Sequence, residues 1–431
     1  MICSNLGTNS QGRLTFAGRD TVELAEKYGT PLYLMDERRI RENCRMYKAA
    51  MSRNFGGSAL PLYASKAAAF RRMYAIAAGE GMGIDTVSPG EIYTAASAGF
   101  PMENAYFHGN NKTDADIAFA MKHGVGYFVA DGRDELEAID RIAGERGICQ
   151  KLLLRLTPGI DPHTYAAVNT GMVDSKFGTA LETGQAMELI KAALKMKNIS
   201  VEGFHCHVGS QVFGEDVYQR TSLIMLRFFA RLKKELGFET KQFDIGGGYG
   251  VRYVDSDADI DIAACIDEVA DYIKATAAEL GIALPKILME PGRSIAADAG
   301  LTLYTAGSVK RIPGYKNYVS VDGGMTDNPR YALYGSRYTV YSAARMSEKT
   351  DFMCDLVGRC CESGDIIQPG VYLPEPRRGD IIAVCTTGAY NYSMASNYNR
   401  LPRPEVVMLD GNNDYIAVRR ETMEDITRCD M

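Results

Sequence analysis

Four short stretches carry residues able to do chemistry. "LYASKA", residues 62–67, runs an apolar strand straight into Lys66, flanked by small residues. Most lysines keep the ammonium in water, but one aimed into a pocket can form an imine with a carbonyl cofactor. "FHCHVGSQ", 204–211, puts His205 and His207 two residues apart, on one face of a strand, with Ser210 just beyond. Such imidazoles can bind a metal, pack as hydrogen-bonded residues or stack on an aromatic cofactor, and Ser210 can donate to phosphate. "DIGGGYG", 244–250, offers Gly246, Gly247 and Gly248, whose backbone N–H groups can approach a phosphate closely; a tight turn would use the same residues. It is not GxGxxG, since the sixth position is Val251 counted from Gly246 and Tyr253 counted from Gly248. "MEPGRS", 289–294, supplies Glu290, a carboxylate able to bond a heterocyclic nitrogen, and Arg293, a fork for carboxylate or phosphate. As an exposed ion pair the two would contribute little.

These residues need a scaffold that brings strand ends together. Between about 60 and 295 the chain alternates strand-like runs with amphipathic stretches such as "RDELEAIDRIAGERG" and "DVYQRTSLIMLRFFARLKKELG". The strand candidates are "PLYASKA", "MGIDTVS", "AYFHGN", "GYFVAD", "KLLLRLTPG", "VEGFHCHVGS", "KQFDIGGGYG" and "KILMEPGRS". Eight strand-helix repeats of this size predict a (β/α)8 TIM-like barrel, with an open doubly wound sheet as the rival. Each strand closes on polar residues: Lys66, Asp85, His108 with Asn110, Asp131, Arg155, His207, Asp244 with its glycines, and Glu290 with Arg293. In such a barrel the active site lies at that end.

From about 298 the pattern changes to short β-rich runs separated by Gly, Pro, Asn and Asp turns, which predicts a C-terminal all-β domain. The expected division is a barrel over 30–297 and a β domain over 298–431, joined by residues 1–29 through the short strand in "GRLTFAG".

Bulk properties exclude several classes. A net charge of −6 argues against a nucleic-acid partner bound through a broad basic surface. No apolar run reaches the ~20 residues of a membrane span, and the N-terminus lacks the pattern of a signal peptide. Ten cysteines without a CxxC pair suggest reduced thiols, a cytoplasmic location and no structural metal site.

The motifs taken together, "YASKA", "HVGSQ", "GGGYG", "EPGRS", "CESGD" and "GAYNYSMASNYN", resemble the diaminopimelate decarboxylase family. These are fold-type III pyridoxal-phosphate enzymes, related to the alanine racemase-like and ornithine decarboxylase-like barrels. The resemblance runs in consistent order from about 30 to 408, with "FHGNNK" (107–112), "DSKFG" (174–178) and "RPEVV" (403–407) as further blocks. It implies decarboxylation of meso-2,6-diaminopimelate to L-lysine, the last step of lysine biosynthesis, with pyridoxal 5'-phosphate as cofactor. Lys66 would carry the cofactor as an imine and His207 would stack on its ring. Ser210, Gly246, Gly247, Gly248, Gly292, Arg293 and Tyr390 would surround the phosphate, and Glu290 would pair with the pyridine nitrogen. Arg293, Arg330, Tyr334 and Tyr390 would bind substrate. Cys361 and Glu362 would come from the partner in a homodimer with shared active sites, Glu362 reading the distal ammonium. Around "GMTDNPRYALYGS" the chain departs from the family pattern, with Pro329 before Arg330 and Tyr331 after it, but the Arg-to-Tyr spacing is kept.

The residue types match this chemistry. Decarboxylation needs an electron sink, and a carboxylate at Glu290 favours the protonated ring that serves as one. Lys66 or Cys361 can return the proton. Glu362 and the two arginines suit a substrate with an amino acid at each end, which carries a distal ammonium and carboxylate, whereas an ornithine or arginine decarboxylase needs no distal carboxylate reader. Two other readings stand beside it: a cofactor-holding carrier without activity, and a metal-dependent barrel hydrolase using His205, His207, Asp244 and Glu290.

Overall fold

The computed structural model describes residues 1–160 and 175–431; Asp174, the first residue of "DSKFG", lies outside them. The chain divides into two compact units. One comprises residues 43–250 and 259–292, the other 1–42, 251–258 and 293–431.

The first unit is the expected barrel. Its strands are β1 (Ala59–Ala64), β2 (Gly83–Thr86), β3 (Ala105–Phe107), β4 (Tyr127–Ala130), β5 (Gln150–Thr157), β6 (Ile199–His205), β7 (Gln242–Asp244) and β8 (Lys286–Met289). Each pairs in parallel with the next, and β8 pairs with β1, so the sheet closes and leaves no edge among these eight. All eight predicted strands are present. Register sets the chemistry at one level: Ala64 lies opposite Asp85, and His205 opposite both Asp244 and Arg155. Inside the barrel Leu62, Tyr106, Val129, Leu153 and Leu288 form an apolar plug. Tyr106 stacks on Tyr127 at 4.5 Å and donates to Gln242 Oε1 at 2.9 Å, so its buried hydroxyl is satisfied. The helices follow their periodicity. Arg133–Glu145 buries Leu136, Ile139, Ile142 and Ala143 on one stripe, and Asp216–Leu236 stops at Gly237. Ser88 caps one helix start ahead of Pro89, and Thr113 with Asp116 forms a capping box at another.

The second unit is β-rich. Its strands are β9 (Gly300–Ile312), β10 (Lys316–Val321), β11 (Val340–Ser342), β12 (Phe352–Val357), β13 (Ile366–Leu373), β14 (Ile381–Cys385), β15 (Glu405–Asp410) and β16 (Asn413–Val418). The sheet runs β13-β12-β10-β9, then the Leu32–Asp36 strand, then β15-β16, with β14 bridging β9 and β11. Leu32, Leu34, Leu301, Leu303, Ala383, Val407 and Leu409 make its core together with Leu14 and Phe16. "GRLTFAG" thus packs into this core, but pairs in its own three-stranded sheet with Leu6–Thr8 and Arg19–Asp20.

Two placements differ from the sequence reading. Residues 32–36, assigned above to the barrel, pair antiparallel with β9 and parallel with β15, because an all-buried five-residue strand here completes the second sheet. β13 was not anticipated, since it contains Pro369 and Gly370; it sits at the sheet edge, where a strand tolerates proline, and its register against β12 shifts at that point. Among the described residues no helix is long and apolar enough to cross a membrane.

Candidate active site

At the C-terminal ends of the barrel strands lies a buried polar layer of Asp85, His108, His205, Asp244 and Glu290. His205 Nε2 hydrogen-bonds Glu290 Oε2 at 3.1 Å. His108 Nε2 comes within 2.8 Å of Oε1, off the line of a hydrogen bond, and 3.9 Å from Asp85 Oδ1. The two imidazoles meet edge to face at 4.8 Å. Donor atoms of His108, His205, Asp244 and Glu290 all lie within 4.8 Å of one another; His207, named in the metal-hydrolase alternative, is not among them.

Three buried carboxyls cannot all be charged cheaply, and their surroundings separate them. Burial pushes Asp85 up despite His108. Burial and the neighbouring Glu290 push Asp244 well up. Burial also pushes Glu290 upward, but the two imidazoles outweigh it and hold this carboxyl well below its ordinary range. His205 is lowered to about 4, by burial against the pull of Glu290, so at neutral pH it is an uncharged donor. Of the three, Glu290 alone is shifted toward its charged form, and Asp85 and Asp244 are shifted the other way.

The glycine loop closes tightly over this layer. A Cβ on Gly247 would sit 2.0 Å from the Glu290 carbonyl oxygen, so glycine is required by the close approach. Gly246 N–H donates to Asp244 Oδ1 at 2.9 Å, and Gly247 N–H to His207 Nδ1 at 3.3 Å. Gly246 and Gly248 have φ of 75° and 124°. Two of the three amides of the loop are thus engaged, one by Asp244 and one by His207. The bond from Gly247 leaves His207 Nδ1 as the acceptor, and desolvation with the Lys66 ammonium holds this imidazole neutral. His207 and Ser210 are half-buried. Lys66 is exposed on a turn, Ser65–Ala67, directly after β1, and its charge acts on Asp85 and Glu91 as well as His207. Gly292 packs against Ala64.

The β unit holds a second constellation. Arg293 opens the short helix Arg293–Ala296, is buried, and donates from Nη1 to the Tyr253 hydroxyl at 2.7 Å. Its guanidinium lies 4.8 Å from the Tyr390 ring centroid, and that of Arg330 lies 5.2 Å from the same ring and 5.3 Å from Tyr334. One tyrosine is thus flanked by two buried cations, and it is held at φ 66°, which is strained for a side chain of this size. Arg330 donates to Ser336 Oγ at 3.3 Å, and among the described residues its Nε has no partner and no carboxylate pairs with it. A buried guanidinium without a carboxylate can receive an anionic ligand.

Cys361 and Glu362 are exposed in the single chain. Their turn is fixed by buried Asp365, which accepts from Cys360 N at 2.7 Å and Met325 N at 2.6 Å, and Cys361 N donates to Asn399 Oδ1. Sequence reading overlooked His108 as a partner of Glu290, Tyr253 as a partner of Arg293, and Asp365. The first was visible as a polar strand end; the others carried no local signal.

The barrel residues fit a pyridoxal group. Glu290 Oε1 and Asp85 Oδ1 are buried without a hydrogen-bond partner among the described residues, and a pyridinium N–H is the donor such oxygens lack. Fold and site together define the class of fold-type III pyridoxal-phosphate enzymes. Residues 37–297 match the pyridoxal-dependent decarboxylase, pyridoxal binding domain. The chain is 42% identical to diaminopimelate decarboxylase of Bacillus subtilis, covering 98% of this chain and 96% of that one. It is 40% identical to that of Staphylococcus aureus, with 97% of each covered. The crystal structure of diaminopimelate decarboxylase from M. jannaschii in complex with L-lysine superposes with a TM-score of 0.91 at 32% identity, over 100% of this chain and 98% of that one. The chain belongs to the diaminopimelate decarboxylase family, and its cofactor is pyridoxal phosphate.

Proposed function

We propose that this protein removes one carboxylate of meso-2,6-diaminopimelate as CO2 and yields L-lysine, in a cytoplasmic homodimer that shares its active sites. The observation that carries the reading is the near-full-length identity to diaminopimelate decarboxylases. The buried Arg330, with no carboxylate partner among the described residues, supports an anionic substrate.

Pyridoxal phosphate, when bound, supplies the electron sink for the carbon that loses CO2. Lys66, exposed just after β1, would hold it, and His207, kept neutral, would face its ring. Glu290 would supply the carboxylate for the ring nitrogen, being shifted toward its charged form while Asp85 and Asp244 are shifted toward their protonated forms. Ser210, the Gly246–Gly248 loop, Gly292, Arg293 and Tyr390 would surround the phosphate end. Arg293, Arg330, Tyr334 and Tyr390 bind substrate carboxylate. Glu362 of the second subunit reads the distal ammonium, which explains why that side chain is exposed in one chain alone. The proton that replaces the lost carboxylate comes from the Cys361 thiol or the Lys66 ammonium.

Glu362→Gln tests this reading. It keeps shape and removes charge, and removing one partner of a buried charge pair costs roughly 2–5 kcal/mol. At ~1.4 kcal/mol per tenfold, kcat/KM on diaminopimelate should fall about 30- to several-thousand-fold while cofactor absorbance is kept. A fall of less than about threefold would make Glu362 a surface carboxylate.

A further inference from the structure

Glu290 does not stand alone, and its neighbours divide its two oxygens. His205 comes from the last position of β6, is fully buried, and gives Nε2 to Oε2 at 3.1 Å. Oε1 has no hydrogen-bond partner among the described residues, although His108 Nε2 lies 2.8 Å from it. His205 Nδ1 is also buried without a hydrogen bond among the described residues. A phenylalanine or leucine at this position would leave no orphaned nitrogen, so packing alone does not account for histidine here. What histidine supplies at this place, and an apolar side chain cannot, is an N–H directed at the carboxylate.

We propose that His205 is a positioning residue: by donating from Nε2 to Glu290 Oε2 it fixes the charge and orientation of that carboxylate and leaves Oε1, flanked by His108, to pair with the cofactor's ring nitrogen. This rests on the pyridoxal-phosphate assignment and goes beyond it, since it concerns which groups hold Glu290 as an ion. The lowered His205 and lowered Glu290 agree with a neutral donor on a charged acceptor. The surrounding charges are Asp85 and Asp244, both pushed toward the protonated form, and Arg155. Outer partners that orient a chemically active group are worth about 10–100-fold in activity in metal sites; the same geometric logic applies here.

The test uses holoenzyme loaded with pyridoxal phosphate labelled with 15N in the ring, comparing wild type, His205→Phe, His205→Gln and Glu290→Gln. The ring-nitrogen resonance reports its protonation directly. Wild type should show the pyridinium position. His205→Phe should move it toward neutral pyridine and lower kcat about 10–100-fold with KM within about threefold, and His205→Gln, which restores an N–H donor, should recover much of both. A folded His205→Phe enzyme with the wild-type resonance and kcat within about threefold would overturn the proposal. Should that chain not fold, 15N-histidine spectra of the wild type decide instead, in a chain with five histidines. His205 must be protonated at Nε2 and bare at Nδ1; the opposite tautomer overturns the proposal. A neutral ring nitrogen in the wild type, unchanged in Glu290→Gln, would overturn the role of Glu290 on which the proposal rests.

Discussion

Replacing Arg330 with methionine should separate function from stability. Arg330 is buried, donates one hydrogen bond to Ser336 Oγ at 3.3 Å, and stands 5.3 Å from the Tyr334 ring and 5.2 Å from the Tyr390 ring. The two cation–π contacts contribute about 0.5–2 kcal/mol each. Against them stands the desolvation of a guanidinium whose Nε is unpartnered and which has no carboxylate among the described residues, a cost of several kcal/mol. Methionine keeps the apolar stem and relieves that cost. The melting temperature of Arg330→Met should therefore equal or exceed that of the wild type. Catalysis should move the other way. If Arg330 receives a substrate carboxylate, that anion loses a desolvated partner worth roughly 2–5 kcal/mol, or about 30- to several-thousand-fold in kcat/KM. Arg330→Lys should recover only part, because a point charge cannot replace the fork. Thermal unfolding and steady-state rates on meso-diaminopimelate read the two effects. A lower melting temperature with kcat/KM within about threefold of wild type would refute the reasoning, since it would make Arg330 a structural residue.

Three further predictions follow the same physics. Gly247→Ala places a methyl 2.0 Å from the Glu290 carbonyl oxygen, a backbone clash no rotamer relieves; equilibrium dialysis should show cofactor affinity reduced at least about tenfold, and unchanged affinity would mean the loop does not serve the cofactor. Mixing Lys66→Ala chains with Glu362→Ala chains should regenerate activity in hybrid dimers, each holding one intact site; no recovery despite demonstrated exchange would put the site within one chain. Asp327, buried, is pushed up to about 7 from 3.8, chiefly by burial and against the Tyr304 hydroxyl and the Gly324 amide. The folded chain therefore holds this proton more tightly than the unfolded chain, so the stabilisation is complete below about pH 4 and is lost as pH rises through about 7. The urea midpoint of Asp327→Asn relative to wild type should change across that window; a pH-independent difference would contradict the assignment.

Much of the barrel was legible because its strands are short apolar runs that end on polar residues, and parallel register carries those ends to one level. Lys66, His207 and Glu290 could be picked out for that reason. The pairing of Leu32–Asp36 with β9 and β15 was not legible, because a five-residue buried strand reads the same whichever sheet takes it. β13 was hidden by Pro369 and Gly370, whose edge position only the sheet reveals. The division of Glu290 between His205 and His108 depends on three side chains about 85 to 180 residues apart meeting in space, and periodicity carries no information about that. Tyr390 between Arg293 and Arg330 is of the same kind: each residue was named for the site, but not the shared ring.

The central claim is that the chain decarboxylates a substrate with an amino-acid group at each end. The most direct measurement is product analysis of the purified holoenzyme, offered meso-diaminopimelate, ornithine, arginine and lysine separately, with CO2 and amine products quantified and a Lys66→Ala chain in parallel. The account predicts one CO2 and one L-lysine per diaminopimelate consumed, little turnover of the other three, and none by Lys66→Ala. Preferential release of CO2 from ornithine, arginine or lysine, or consumption of diaminopimelate without lysine, would contradict it.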